Sequence, residues 1–296
     1  MNSSSYLPPQ SPAQLPCIAA ARRFDASRHV PFFIGAEQVG WIRQRDRSLL
    51  HRWPDVLRDD GGAISLVDHF DTAHDVVQLR SAALGSVIGA LAAQGHIPGW
   101  RDETYAIRNR FDAPPLAFIE RAASRFFGTM TYAAHLNGIV RQAAAQPLVW
   151  IARRSLGKQT DPGMLDNLVG GGIGWGYGVF ETLIKECWEE SGIPPELART
   201  AKPGGTLHVL QELPEGTQAE QIFVFDLDVP ADFAPANQDG EVSEHRLARI
   251  DEVRGWIAAG EMTVDASLAM LDALLRAELL NAHDCPGLEA LYRLPD

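Results

Sequence analysis

Three glutamates stand at a spacing that could hold a metal ion. Glu186, Glu189 and Glu190 occupy relative positions i, i+3 and i+4, so a helix presents all three carboxylates on one face. Like charges at this spacing destabilise a helix and raise the pKa of each carboxyl group. A bound divalent cation removes both penalties, and all-oxygen ligands next to a phosphate favour Mg²⁺ or Mn²⁺ over zinc. The trio therefore predicts a metal site, with a solvated acidic helix as the alternative.

A glycine-rich loop leads directly into these carboxylates. Glycines stand at positions 170, 171, 172, 174, 176 and 178, where they permit positive φ angles and close approach to the backbone. The following segment predicts a helix from about Val179 to Ser191, ended by Gly192. Leu183 and Cys187 would face the protein, so that one side of the helix packs and the other binds metal.

The loop and the helix together resemble the Nudix box. Residues 185–193 read KECWEESGI, and the box ends in Arg-Glu-U-x-Glu-Glu-x-Gly-U, where U is apolar. Lys185 stands at the arginine position. The resemblance implies that the three glutamates bind metal and adds the carbonyl oxygen of Gly170 as a ligand. This sequence departs from the box at Tyr177, where the box has a glutamate that supports the arginine. Glu181 could pair with Lys185 instead.

Four segments together resemble one subfamily of Nudix hydrolases. They are Leu165–Gly172, Glu181–Ile193, Phe223–Pro230 and Asn237–Leu247. Members of this subfamily, among them the Nudix part of fungal thiamine pyrophosphokinase, carry an extra N-terminal domain. The resemblance implies a metal-dependent hydrolysis of thiamine diphosphate, or of its oxidised and damaged forms, to the monophosphate.

Three other functions stay open on the sequence. The same enzyme class could act on a nucleoside diphosphate derivative, such as a nucleotide sugar, a dinucleotide or a coenzyme. A non-catalytic Nudix-fold sensor would bind a ligand, but it has no need of three clustered carboxylates. An isomerase of the isopentenyl-diphosphate type would want a cysteine in the strand before the box, where Arg153 and Arg154 stand instead.

Hydrolysis of a diphosphate requires charge neutralisation and a general base. Metal ions neutralise phosphate oxygens and lower the pKa of a bound water. By resemblance, the base is a glutamate of the box or of a downstream loop, so Glu189, Glu190 and Glu241 are the predicted catalytic residues. Glu244 is a further candidate for the base. An ordinary surface position is the alternative for Glu241.

Three basic residues ahead of the glycine loop could bind the substrate phosphates. They are Arg153, Arg154 and Lys158, and ordinary surface charge is the alternative for each. Because side chains alternate along a strand, only one of the two arginines can face the site. Trp175, inside the glycine loop, could stack on a substrate ring, with packing inside the protein as its alternative.

These residues have to be positioned by a sheet with helices packed on it. Strands are predicted at Thr129–Arg141, Pro147–Arg153, Thr206–Gln211, Gln221–Leu227 and Glu241–Ile250. Strands and helices mix without regular alternation, which is typical of an α+β protein. The resemblance implies the Nudix α/β/α sandwich with a mixed sheet, preceded by a smaller α+β N-terminal domain.

A pair of prolines marks the predicted domain boundary. Pro114 and Pro115 block a helix before them and favour one after them, predicted over Leu116–Phe127. We therefore divide the chain into an N-terminal accessory domain, residues 1–114, and a Nudix hydrolase domain, residues 115–296.

The charge of the chain limits its partners. The 296 residues include 26 Lys and Arg and 38 Asp and Glu, a formal net charge of −12. Such a surface repels nucleic-acid backbones and anionic lipids, so we expect neither nucleic acid nor membrane as a partner. The apolar run Ser81–Gly95 is also shorter than the about 20 residues that span a bilayer. The expected partner is a small-molecule diphosphate, and a homodimer stays open.

The cysteines and the N-terminus predict a location. Cys17, Cys187 and Cys285 are too widely spaced for a disulfide framework or a zinc site. The first residues lack the apolar core of a signal peptide. We therefore expect a reducing, cytoplasmic setting.

Overall fold

The N-terminal region builds a small sheet that packs with one long helix. The structure, a computed structural model, describes residues 14–67 and 75–294. The elements of this region, in chain order, are α1 (Pro16–Ala21), β1 (His29–Ile34), β2 (Glu37–Arg43), α2 (Arg47–Leu50), β3 (Leu57–Asp59), β4 (Ile64–Leu66), α3 (Val76–Ala93), β5 (Thr104–Ile107), β6 (Ala117–Glu120) and α4 (Ala123–Phe127). The first four strands form a sheet in the order β2-β1-β4-β3, and β5 pairs with β6.

The long helix α3 has one buried face. Leu84, Val87, Ile88 and Leu91 are buried and belong to the same apolar core as the four-stranded sheet. With 18 residues and a mean hydropathy of 1.5, α3 is long and apolar enough to cross a membrane by length and composition alone. The sequence predicts a helix from about Ala73 to Gln94 here; α3 ends one residue before that, and residues 73 and 74 lie outside the described residues.

The helix predicted over Leu116–Phe127 was wrong in its first half. Residues 117–120 form β6, in which buried and half-buried side chains alternate, and pair antiparallel with β5. Only Ala123–Phe127 is helical, as α4, and it ends at Gly128 in the left-handed region. The boundary predicted after residue 114 falls in the connection between β5 and β6, and it stays a prediction.

A seven-stranded mixed sheet forms the centre of the C-terminal half. Its strands are β7 (Met130–Val140), β8 (Leu148–Arg154), β9 (Leu165–Asp166), β10 (Val169–Gly172), β11 (Lys202–Leu213), β12 (Gly216–Asp228) and β13 (Val242–Arg249). The main path runs β11-β12-β7-β8-β13, with β10 added to β7 and β9 to β8. The β12 and β7 strands are parallel, and the other pairs are antiparallel.

Helices cover both faces of this sheet. They are α5 (Val179–Ser191), α6 (Pro195–Ala198), α7 (Ile250–Ala259) and α8 (Val264–Arg276), together with α1 from the N-terminal region. Side chains alternate along β12, so that Ile222 and Val224 pack with α1, α7 and α8, and Phe225 and Leu227 pack with α5 and α6. The predicted α+β class and three-layer sandwich are confirmed.

Two glycines allow β2 to touch the end of α4. A side chain on Gly40 would collide with the carbonyl oxygen of Phe127, and one on Gly128 would collide with the backbone of Trp41. Gly128 also has a φ of 60°. Because β7 starts directly after this turn, the contact ties the N-terminal sheet to the central sheet.

We expect Gly128→Ala to destabilise the protein more than Gly61→Ala. Both positions have positive φ, where an alanine costs about 1–2 kcal/mol, but a side chain at Gly61 would meet no atom within 4 Å. Urea denaturation of the two variants measures the difference, which reports the collision with Trp41. Equal losses would contradict the close contact.

Candidate active site

The helix that carries the three glutamates has the predicted bounds. Helix α5 runs from Val179 to Ser191 and ends at Gly192, whose φ is 61°. At its start, the Gly178 N–H donates to the Glu181 side chain at 3.4 Å. Leu183 and Cys187 are fully buried against the sheet. The apolar face thus fixes the helix and leaves its carboxylates along the glycine loop.

The glutamates contact the glycine strand and one lysine. Oε2 of Glu190, whose residue is 6% exposed, accepts a hydrogen bond from the Gly170 N–H at 2.8 Å. The Glu186 side chain lies against Gly171 so closely that a Cβ on this glycine would collide with it. The Lys185 ammonium lies 3.2 Å from Oε1 of Glu186 and 2.5 Å from Oε2 of Glu189.

The pairing of Lys185 with Glu181 was therefore wrong. Glu181 caps the start of the helix, while the lysine turns toward the two glutamates of the box. The concentration of negative charge on that side of the helix is the physical reason. Lys185 is thus an ion-pair partner within its own helix.

Burial and neighbouring charges shift the pKa values of these carboxyl groups. Burial raises the pKa of Glu190 well above its usual value, against the opposing effect of the Gly170 hydrogen bond. Burial likewise raises the pKa of Glu186, although Lys185 opposes the shift. A nearby cation would favour the ionised form of both groups.

The donor set suits a hard divalent cation. Within residues 14–67 and 75–294, no three acidic, histidine or cysteine side chains stand together at ligand spacing. Lys185 instead bridges two of the carboxylates, and Glu190 turns to the backbone of Gly170. An ammonium group between two carboxylates marks a place that attracts a cation. Carboxylate and carbonyl oxygens are the ligands that Mg²⁺ and Mn²⁺ prefer.

The downstream glutamates differ in their surroundings. Glu241 forms an ion pair with Lys158. Burial acts to raise the pKa of Glu241, but the hydrogen bond and charge of Lys158 outweigh it, and the net pKa is lowered. Glu244 is more exposed and pairs with Arg153. Of the two, Glu241 is the carboxylate that lies close to the charges of Glu186 and Arg121.

Only one of the paired arginines points into the site. Arg154 donates to Oδ2 of Asp166 at 2.7 Å, and both side chains line a cavity of about 120 Å³ beside Gly170–Gly172. Lys158 lines the same cavity. Arg153 contacts Glu244 and the Gly163 carbonyl instead.

Trp175 lies against the N-terminal region. Its ring centroid is 4.8 Å from that of Phe118, and its backbone N–H donates to the Thr104 carbonyl at 2.8 Å. The residue is 43% exposed, so one part of the indole faces solvent. Packing on Phe118 fixes the ring next to the glycine loop.

The N-terminal region supplies basic residues that the sequence patterns did not predict. Arg101, Arg121 and Arg125 line the cavity of about 120 Å³ together with Arg154 and Lys158. No motif marks the three arginines, because they come from β5–β6, α4 and the segment before them. Their positive charge in an acidic chain is the sequence feature that could have indicated them as candidate phosphate ligands.

The imidazole of His135 faces the same cavity through a fixed network. The Asn167 amide donates to Oδ1 of Asn137 at 2.8 Å and to the Ala266 carbonyl at 3.3 Å. The oxygen of Asn167 therefore accepts from Nδ1 of His135, 2.8 Å away. The hydrogen bond of Nδ1 to Asn167 leaves Nε2 outside this network.

The carboxyl groups of Glu220 and Asp265 lie together at another wall of this cavity. The Gln218 amide donates to Glu220 and, at 3.1 Å, to Oδ2 of Asp265. Oδ1 of Asp265 is buried and has no partner among the described residues. Burial, followed by the charge of Glu220, raises the pKa of Asp265 from 3.8 to about 7.

Comparison with known proteins gives relatives over nearly the whole chain. Residues 132–266 match the family model of the NUDIX domain, and residues 13–131 match a domain of unknown function (DUF4743). The chain is 37% identical over 267 residues to Nudix hydrolase 24 of Arabidopsis thaliana, which covers 89% of this chain and 72% of that protein. It is 35% identical over 271 residues to Nudix hydrolase 20 of the same plant. That match covers 90% of this chain and 72% of that protein.

Among solved structures, the chain is similar to DR0079 from Deinococcus radiodurans. The identity is 23% and the TM-score 0.45, and the match covers 57% of this chain and 99% of that one.

These relatives overturn the expectation of a cytoplasmic protein. Both Arabidopsis hydrolases are chloroplastic. The three cysteines are indeed free and buried, but free thiols indicate a reducing environment, which is not specific to the cytoplasm. The cysteine argument could not distinguish between reducing compartments.

We expect Gly171→Ala to impair the site, because its Cβ would collide with the side chain of Glu186. Divalent-cation binding and turnover should both fall, by about 10-fold or more if the carboxylate is displaced. Gly178→Ala is the matched control, since a side chain there meets no atom within 4 Å. Equal cation affinities in the two variants would show that Glu186 does not depend on this contact.

We expect Asp265→Asn to stabilise the protein in a pH-dependent way. A folded-state pKa above the unfolded value means that stability is lost as pH rises from about 4 toward 7. The groups that act on Asp265 are Glu220, Asp166 and His135. The variant should therefore melt several degrees higher than the wild type at about pH 8, and the gain should shrink at about pH 5. A gain that does not vary with pH would contradict the shifted pKa.

Proposed function

The chain belongs to the Nudix hydrolase family, and from this premise we propose that it hydrolyses thiamine diphosphate, or its oxidised and damaged forms, to the monophosphate in a Mg²⁺-dependent reaction. The observation that carries the proposal is the buried carboxyl of Glu190 on the Gly170 backbone, beside Glu186 and Glu189. The resemblance of the four segments around the box to the thiamine-related subfamily supports the choice of substrate.

The metal would be held by the side chains of Glu186, Glu189 and Glu190 and by the carbonyl of Gly170. When bound, it supplies charge neutralisation for the phosphate oxygens and a lower pKa for the attacking water. Cation binding requires that Lys185 leaves the carboxylates of Glu186 and Glu189, which it bridges. The lysine is half-exposed and can turn to solvent.

The reaction is an in-line attack of water on one phosphorus. The bond from that phosphorus to the bridging oxygen breaks. The other phosphate group leaves and keeps the bridging oxygen. We propose Glu241 as the base that takes the proton from water, because its lowered pKa keeps it ionised at neutral pH. Glu189, freed from Lys185, is the alternative base, and Glu190 contributes through the metal.

The substrate phosphates lie along Gly170–Gly172, where the side chains of Arg154 and Lys158 bind them. Both basic groups already line the cavity next to these glycines. Arg153 belongs to the same strand but pairs with Glu244 away from the cavity, so Arg154 is the arginine we assign to the phosphates. Trp175, beside the glycine loop, is the proposed platform for a substrate ring.

We expect Mg²⁺-dependent release of thiamine monophosphate and phosphate from thiamine diphosphate or its oxidised analogues. Glu190→Gln should reduce turnover roughly 100-fold or more, because it removes a charged metal ligand. Glu196→Gln, an exposed glutamate in α6, is the matched control and should keep wild-type activity. Product release is followed by chromatography and a phosphate assay.

The same assay on a panel of nucleotide sugars, dinucleotides and coenzyme diphosphates separates the alternatives. Turnover of a panel member alone would retain the metal site and reject thiamine compounds as substrates. Ligand binding without turnover of any compound would reject the hydrolase and favour a sensor.

A further inference from the structure

Three cavities meet at two arginines of the N-terminal region. The first, about 490 Å³, is bounded by Pro98, Arg101 and Gln159. The second, about 120 Å³, reaches Gly170–Gly172 and is the cavity of the candidate active site. The third, about 70 Å³, lies among hydroxyl-bearing side chains. Arg121 and Arg125 line all three cavities and connect them.

The guanidinium groups of these arginines keep donors available. Nη1 of Arg121 donates to Oε2 of Glu103 at 2.8 Å, and Nη1 of Arg125 donates to Glu215. Within the described residues, the other N–H groups of the two side chains have no hydrogen-bond acceptor, and the Arg101 side chain has no ion-pair partner. The two glutamates thus orient the guanidinium groups and leave donors directed at the cavities.

Three buried hydroxyl groups line the smallest cavity. Ser124, Thr129 and Thr217 are 2%, 1% and 1% exposed, and in the described part of the chain none of their hydroxyl oxygens has a hydrogen-bond partner. Leaving a buried polar group without a hydrogen-bond partner destabilises the folded protein. Three such groups around one cavity therefore point to a ligand that bonds to them.

The chemistry of this lining favours an anion, because Arg121 and Arg125 bring two positive charges against one carboxylate, Glu220, which already accepts a hydrogen bond from the Gln218 amide. Hydroxyl and guanidinium groups are donors to phosphate oxygens, and arginine is the side chain best suited to bind phosphate with two hydrogen bonds. At about 70 Å³ this cavity is the smallest of the three, so its size suits a compact group such as a phosphate better than a nucleoside.

We propose that Arg121 and Arg125, with Arg101 at their side and the hydroxyls of Ser124, Thr129 and Thr217, form a second anion subsite that takes the terminal phosphate of a diphosphate monoester. The proposal rests on the hydrolase function and narrows its substrate class. One phosphate lies at Gly170–Gly172 and the next lies at the arginines, which line the same cavity. A diphosphate with an organic group on both phosphates cannot place either end among the hydroxyls.

Binding of inorganic phosphate to the full chain in EDTA tests the subsite without a metal and without turnover. Titration calorimetry should show saturable binding to the wild type and at least 10-fold weaker binding to Arg125→Gln. The double variant Thr129→Val, Thr217→Val should also weaken binding at least 10-fold. Arg110→Gln, an exposed arginine of the N-terminal region, is the matched control and should bind as the wild type does.

The double valine variant distinguishes a loss of phosphate binding from a loss of folding. Replacing an unpartnered buried hydroxyl with a methyl group of similar size does not destabilise the fold, so its melting temperature should equal or exceed that of the wild type. Phosphate affinity within twofold of the wild type in Arg125→Gln or in the double variant would overturn the proposal.

Kinetics then connect the subsite to substrate choice. In Arg125→Gln, the KM for thiamine diphosphate should rise at least 10-fold with a smaller change in kcat, and the KM for a diester such as ADP-ribose should not change. An equal rise for both compounds would overturn the assignment to a terminal phosphate. If no diphosphate is turned over but phosphate binding behaves as expected, the hydrolase proposal fails and the anion subsite stands.

Discussion

The carboxyl group of Glu190, buried on the backbone of Gly170, couples the box helix to the glycine strand, and the geometry of the site depends on it. Burying an ionised carboxylate without a counter-charge is costly, which is why the pKa of Glu190 lies well above its usual value. The next glycine, Gly171, has no room for a side chain because Glu186 fills that space. The position of the helix, the glycine backbone and the arrangement of the carboxylates are therefore three aspects of one packing constraint.

The electrostatics of the cavity follow from the same constraint. In a chain of net charge −12, three basic residues of the site are held by acidic partners: Lys185 by Glu189, Arg154 by Asp166 and Lys158 by Glu241. A divalent cation would take the place of Lys185, and a phosphate would attract the other cations. Cation and anion would therefore bind best together, because each offsets the charge that the other disturbs. Such joint binding would allow an acidic protein to hold the proposed anionic substrate.

Local signals predicted the box helix, and tertiary contacts decided what the sequence could not predict. The bounds of α5 match because apolar periodicity and Gly192 are signals within the segment itself. Strand alternation likewise predicted that only one of Arg153 and Arg154 faces the site. The start of the segment Leu116–Phe127 is a strand because it pairs with β5. No residue pattern within the segment itself indicates that pairing. Arg121 could not be placed for the same reason.

The N-terminal region supports the glycine loop as well as supplying a wall of the cavity. Trp175 in the loop donates its backbone N–H to the Thr104 carbonyl of β5, and the neighbouring Tyr105 hydroxyl lies where a side chain on Gly172 would be. The carboxylate of Glu120 in β6 accepts the backbone N–H groups of Arg101 and Glu103, which holds the segment before β5 in place. The loop that positions Gly170 therefore rests on the same hairpin that presents Arg121. A change in this hairpin would move the proposed metal ligands and the proposed phosphate ligands together, so the structural integrity of the site depends on both halves of the chain.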